Sequence, residues 1–73
     1  MIRQALISGA RSRAQLEAYL PRNYKILRQV ARQNNNDPVV FVIEGEDSAG
    51  WTLDDYVLPR LASGLIFGKE IVE

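Results

Sequence analysis

The stretch Val39–Ile43 constrains the fold of this 73-residue chain more than any other, because five consecutive apolar residues of a strand cannot leave one face in water. Alternate residues of a strand point to opposite faces, so both faces of this one need cover. Four of the five residues are β-branched, Pro38 precedes them and Gly45 follows them, which favours a strand over a buried helix. We therefore predict a strand here, and it needs a hydrogen-bonding neighbour.

Residues 24–33 are the predicted neighbour, although their pattern is compatible with a helix as well as with a strand. The run Asn34–Pro38 consists of turn-forming residues and has the length of a hairpin loop. It favours a β-hairpin of about 24–33 with 38–46. One alternative stays open, a mostly helical chain whose one strand pairs between chains.

The first predicted helix spans about 12–20. Ser12 is its expected N-cap, since Gln15 three residues later completes a capping-box pattern. Pro21 ends it, because the residue before a proline disfavours the helical region.

The second predicted helix spans about 53–64, after Thr52 as N-cap. Trp51, just before the cap, is expected to pack on Tyr56 as a hydrophobic staple. Pro59 removes one backbone hydrogen bond and is expected to bend or restart this helix.

The two ends of the chain are less determined by their pattern. Residues 1–10 fit neither a helix nor a strand clearly, and the apolar segment 65–72 is expected to dock on the core or to join another chain. The whole chain is predicted to be one small α+β domain, residues 1–73. Because one two-stranded hairpin is marginal and the chain has no cysteine to staple it, we expect a homo-oligomer.

Absent residue types exclude several chemistries. Without histidine or cysteine, Ser-His and thiol nucleophiles and the usual zinc sites are excluded. The acids nearest to one another in the sequence match no calcium-binding loop and are explained as a solvated rim and helix-capping charges; they are Glu44, Glu46, Asp47, Asp54 and Asp55. We expect no enzymatic activity, no catalytic residue, no metal and no cofactor.

Charge is distributed unevenly along a chain of zero net charge, with +6 on residues 1–33 and −6 on residues 34–73. The plain explanation is that the two halves pack together and neutralise each other, within one chain or across a subunit interface. The alternative is a basic surface for nucleic acid.

These observations predict a non-enzymatic binding module, a homo-oligomer that occupies a partner protein or holds a small ligand at a subunit junction. The alternative is a nucleic-acid-binding protein that uses the basic N-terminal half. We expect a cytoplasmic protein that does not associate with membranes. The candidate ligand- or partner-binding residues are aromatic or basic, namely Trp51, Tyr56, Arg60, Tyr24 and Arg28.

Overall fold

The strand expected from Val39–Ile43 lies inside a four-stranded antiparallel sheet, as a computed structural model that describes residues 1–71 shows. One face of the sheet carries a layer of short helices. In chain order the elements are β1 (Ile2–Ser8), α1 (Arg13–Tyr19), β2 (Tyr24–Gln29), β3 (Val40–Glu46), a π-helical turn (Leu53–Val57), α2 (Leu58–Ser63) and β4 (Phe67–Ile71).

The strand order in the sheet is β2-β3-β1-β4, and every neighbouring pair is antiparallel. The two β-α-β units interlock, because β3 lies between β1 and β2, and β1 lies between β3 and β4. This is the split β-α-β, or ferredoxin-like, arrangement. It places β3 and β1 at the centre and leaves β2 and β4 as edges.

The structure shows an α+β chain and corrects two expectations about its sheet. The sheet has four strands, since residues 2–8 and 67–71 both pair as strands that the sequence patterns did not identify. The alternative of a mostly helical chain is wrong, because β3 pairs with β1 and β2 of its own chain.

The expected hairpin corresponds to β2 and β3, with shorter strands than 24–33 and 38–46. β2 has a bulge at Leu27, between two residues that pair with β3. The last two residues of the chain, which include the end of the apolar segment 65–72, lie outside the described residues.

The hydrophobic core lies between the sheet and the helical layer. The sheet contributes the side chains of alternate residues on its three longest strands, and the helical layer contributes leucines and a valine. The fully buried members with the largest side chains are Ile7, Leu16, Ile43, Leu53, Leu61, Ile66 and Val57.

Both helical segments begin with a side-chain cap. The Ser12 hydroxyl accepts a hydrogen bond from the Gln15 N–H (3.1 Å), and the Thr52 hydroxyl accepts one from the Asp55 N–H (3.2 Å). After Thr52 the chain winds one π-helical turn, and it continues as α-helix at Leu58. Pro59 lies in the first turn of α2, where its missing N–H costs least.

Within residues 1–71, no helix combines the length and the apolar character that crossing a bilayer requires.

Candidate binding surfaces

Two aromatic rings and two guanidinium groups form a stacked surface, here named the Trp51 cluster: Arg22, Trp51, Tyr56 and Arg60. The Trp51 and Tyr56 rings stack with centroids 6.1 Å apart and an angle of 28° between their planes. The Arg22 guanidinium carbon lies 5.9 Å from the centre of the Trp51 ring, and that of Arg60 lies 5.9 Å from the Tyr56 ring. Each ring therefore has one cation at cation–π distance.

The α1–β2 loop fixes one side of this cluster. The Asn23 side-chain amide donates to the carbonyls of Glu46 (2.6 Å) and Trp51 (3.0 Å), which ties the loop to the segment that carries the tryptophan. Arg60 Nε donates to the carbonyl of Tyr19 at the end of α1 (3.1 Å). The cluster thus joins the helical segments to the α1–β2 loop, and its Arg22 lies at the edge of the sheet.

The structure brings together three of the five residues that the sequence indicated, Trp51, Tyr56 and Arg60. Tyr24 is buried against the core and directs its hydroxyl to Asp47. Arg28 is exposed on edge strand β2, where it pairs with Val42 of β3. Arg22 was not among the predicted binding residues, since no local pattern places it on the ring of the distant Trp51.

Arg3 is the centre of a second polar group, here named the Arg3 network, in which one guanidinium bonds three carboxylates. Glu70 accepts two hydrogen bonds, from Nε (2.8 Å) and from a terminal nitrogen (2.7 Å). Asp47 accepts one at 2.6 Å and Asp54 one at 2.9 Å. The Tyr24 hydroxyl and the Leu53 N–H both donate to the second oxygen of Asp47.

The network shifts the ionisation of its members in ways that follow from these bonds. Burial, followed by its hydrogen bond to Asp47, raises the pKa of Tyr24. The donors Tyr24 and Arg3 lower the pKa of Asp47, and the bonds from Arg3 lower the pKa of Glu70. The Arg3 guanidinium supplies the positive charge between these three carboxylates. It also joins the basic first half of the chain to the acidic second half.

The sheet face opposite the helices, here named the open sheet face, has no covering layer within residues 1–71. The pairing register gives it a central row of Arg28, Val42, Leu6 and Lys69, taken from β2 to β4. A second row has Lys25, Glu44, Gln4 and Ile71, and Gln4 donates to Glu44 (3.1 Å).

Apolar side chains are concentrated in the middle and at the ends of this face. Val42 is buried to 2% exposure between its neighbours, whereas Leu6 stays 43%, Phe67 55% and Ile2 61% exposed. A shallow depression at one end of the face is lined by Leu6, Ser8, Pro38, Val40, Phe67 and Lys69.

The basic residues of the N-terminal half are divided among several surfaces. Arg3 is bonded to carboxylates, Arg13 pairs with a glutamate and Arg22 lies on Trp51, whereas the two basic residues of β2 lie on the open sheet face. Within residues 1–71 the aromatic ring of that face is Phe67 of edge strand β4, and the two central strands add none on which bases could stack. Nucleic-acid binding stays a prediction, and the geometry supports it less than it supports protein binding.

Comparisons with protein-family models, with curated proteins and with solved structures found no match for this chain. Information on function therefore comes from the chemistry of the Trp51 cluster, the Arg3 network and the open sheet face.

Proposed function

We propose that this protein is a non-enzymatic binding module that works as a homodimer, with the open sheet face of one copy packed on that of the other. The observation that carries the proposal is the exposed apolar patch of this face, which extends from Leu6 near the centre to Phe67 at one end and has no layer over it within residues 1–71. A contiguous apolar patch on a sheet is a common interaction site.

The size of the face suits a second copy. Four strands about 4.8 Å apart and about 20 Å long project roughly 400 Å². Because side chains project from the sheet, the accessible area of the face is larger than this projected area. It approaches the roughly 800 Å² that each partner of a standard stable interface buries. A chain of this length also leaves a large share of its surface exposed when alone, so pairing adds stability that the monomer lacks.

The charges on the face also suit a second copy. The face carries both signs, with Lys25, Arg28 and Lys69 on the edge strands and Glu44 on a central strand. In a two-fold interface each patch contacts the same patch of the other copy. A face with charges of one sign would therefore repel its copy, whereas a face with both signs can form ion pairs with it.

The depression at the end of the face would lie at the junction of the two copies. Its apolar lining, which includes Pro38, Val40 and Phe67, suits a small apolar ligand, and Lys69 at its rim suits an anionic group on that ligand. This is the form that the predicted ligand-holding role would take.

The test is native mass spectrometry together with sedimentation equilibrium, which report subunit number and any retained mass. We expect the wild-type chain to have the mass of two subunits. Leu6→Glu, which places a charge at the centre of the face, should weaken dimerisation about a hundredfold or more and leave a folded monomer.

The matched control is Leu65→Glu, the same change at an exposed leucine in the loop before β4. It should leave the dimer intact. A wild-type monomer at micromolar concentration would refute the proposal, and so would a Leu6→Glu chain that is as dimeric as the wild type.

A further inference from the structure

We propose that the Trp51 cluster docks an acidic peptide segment of a partner protein. This inference rests on the proposed function as a protein-binding module and names the chemistry of the partner. Tyr56 and Arg60 lie in the helical layer, on the other side of the sheet from the proposed dimer contact. Arg22 lies in the α1–β2 loop at the edge of the sheet, where it lines a depression with Lys25 and Glu46.

The first argument is the state of the two guanidinium groups. Both arginines are exposed, and no carboxylate within residues 1–71 lies within ion-pair distance of either group. Arg60 is held in place by the bond from its Nε to the Tyr19 carbonyl, which leaves its two terminal nitrogens available for a carboxylate. A planar guanidinium binds a carboxylate through two parallel bonds, and an aromatic face beneath it keeps it oriented.

The second argument is the aromatic pair. The half-buried Trp51 and Tyr56 rings stack on each other, and the Asn23 amide holds the main-chain carbonyl of Trp51, so the pair is ordered before a ligand binds. Tryptophan, tyrosine and arginine are the residue types that contribute most to binding energy in protein interfaces. The methylenes of glutamate side chains can pack on these rings while their carboxylates reach the arginines.

The neighbouring charges select a peptide over a nucleic acid. Asp55 is exposed beside Tyr56, and Glu46 and Asp47 precede the segment that carries Trp51. A polyphosphate chain that crossed the cluster would pass these acids, whereas a short peptide can place one or two carboxylates between the arginines.

The experiment is a titration of the full chain with acetylated and amidated hexaglutamate at low salt. Trp51 is the one tryptophan of the sequence, so its fluorescence reports binding at the cluster itself. Calorimetry on the same samples supplies the affinity. We expect saturable binding of hexaglutamate and none of hexaglutamine.

Arg22→Gln should weaken binding by about fivefold or more, since it removes a charged hydrogen-bonding partner. Arg22→Lys should recover only part of the loss, because a lysine lacks the planar fork. The matched control Arg11→Gln removes an exposed arginine of the β1–α1 loop, outside both proposed surfaces, and should change the affinity by less than about twofold.

Because the Arg60 side chain also ties two helical segments together, Arg22 is the primary test position, and its variants are checked by circular dichroism. Asp55→Asn should tighten hexaglutamate binding, since it removes an exposed acid next to Tyr56 in the sequence. Equal losses in Arg22→Gln and Arg11→Gln, or no binding by the wild type, would overturn the inference. Tighter binding of hexauridylate than of hexaglutamate would do the same, since it would assign the cluster to nucleic acid.

The Leu6→Glu chain separates this inference from the dimer proposal. If it is monomeric and binds hexaglutamate with the wild-type affinity, both proposals hold independently. If the wild type proves monomeric and still binds through Arg22, the docking surface stands and the dimer does not.

Discussion

Arg3 and Glu70 form a two-bond ion pair that joins the first strand to the last, with donor–acceptor distances of 2.7 and 2.8 Å. The pair lies on the helix side of the sheet, where the Arg3 side chain is 18% exposed and also reaches Asp47 and Asp54. It fastens edge strand β4 to central strand β1 at the end of the core.

Arg3→Met should therefore destabilise the fold at neutral pH, with a fall in Tm of about 5 °C or more. The pKa values of Glu70 and Asp47 are lower in the folded chain than in the unfolded one. Their contribution is fully present above the unfolded values and is lost as the pH falls through the lower folded values. Thermal unfolding of both chains should show a difference in Tm at pH 7 that narrows as the pH falls below the ordinary carboxylate range.

The matched control for this prediction is Arg13→Met. Arg13 forms an exposed pair with Glu17 four residues later, and such a pair contributes at most about 0.5 kcal/mol. An equal Tm loss for both arginine variants, or an Arg3→Met gap that persists at pH 2, would contradict the role given to the Arg3 network.

Tyr24 should remain protonated above the usual tyrosine range, because burial and the 2.7 Å bond to Asp47 raise its pKa. A raised pKa contributes stability that is present below the unfolded value near 10 and is lost as the pH rises above it. Absorbance titration should show a late tyrosine step that coincides with the loss of the fold. Tyr24→Phe should remove this step, and the control Tyr56→Phe should leave it; a wild-type titration without a late step would refute the prediction.

Leu65 adopts φ of 61°, a left-handed conformation that favours glycine, in the turn that ends α2. The Ile66 N–H bonds the Leu61 carbonyl and the Leu65 N–H bonds that of Ala62, both at 3.0 Å, which is the Schellman pattern. Since the Leu65 side chain is 74% exposed, Leu65→Gly should stabilise the fold by about 0.5–1 kcal/mol in urea unfolding. Leu65→Ala keeps the Cβ atom and should gain little; an equal gain in both variants would show that the backbone conformation is not the cause.

The sequence predicted those features whose causes lie within a few residues. The caps at Ser12 and Thr52 and the packing of Trp51 on Tyr56 are local, so their spacing alone predicts them. The β2–β3 pair was also predicted, because a turn-rich loop of hairpin length joins two strand-like segments.

Strands β1 and β4 were missed because their partners are far away in the sequence. The segment Ile2–Ser8 forms a strand because it lies between β3 and β4, and its own pattern is compatible with a helix. If this segment is assigned as a strand, Arg3 shares a face with the core residues Ala5 and Ile7. A charged side chain in that position needs oppositely charged or hydrogen-bonding partners.

The sequence by itself determined the helix starts, the buried central strand and the excess of opposite charge in the two halves. Only the tertiary structure decided where those charges meet, because Arg3 contacts carboxylates 44, 51 and 67 residues away. It likewise decided which aromatic residues face outward, since Tyr24 turned toward the core while Trp51 and Tyr56 gained arginines from α2 and the α1–β2 loop. The physical reason is that a side chain's environment depends on which distant segments pack around it. A local sequence pattern contains no information about those segments.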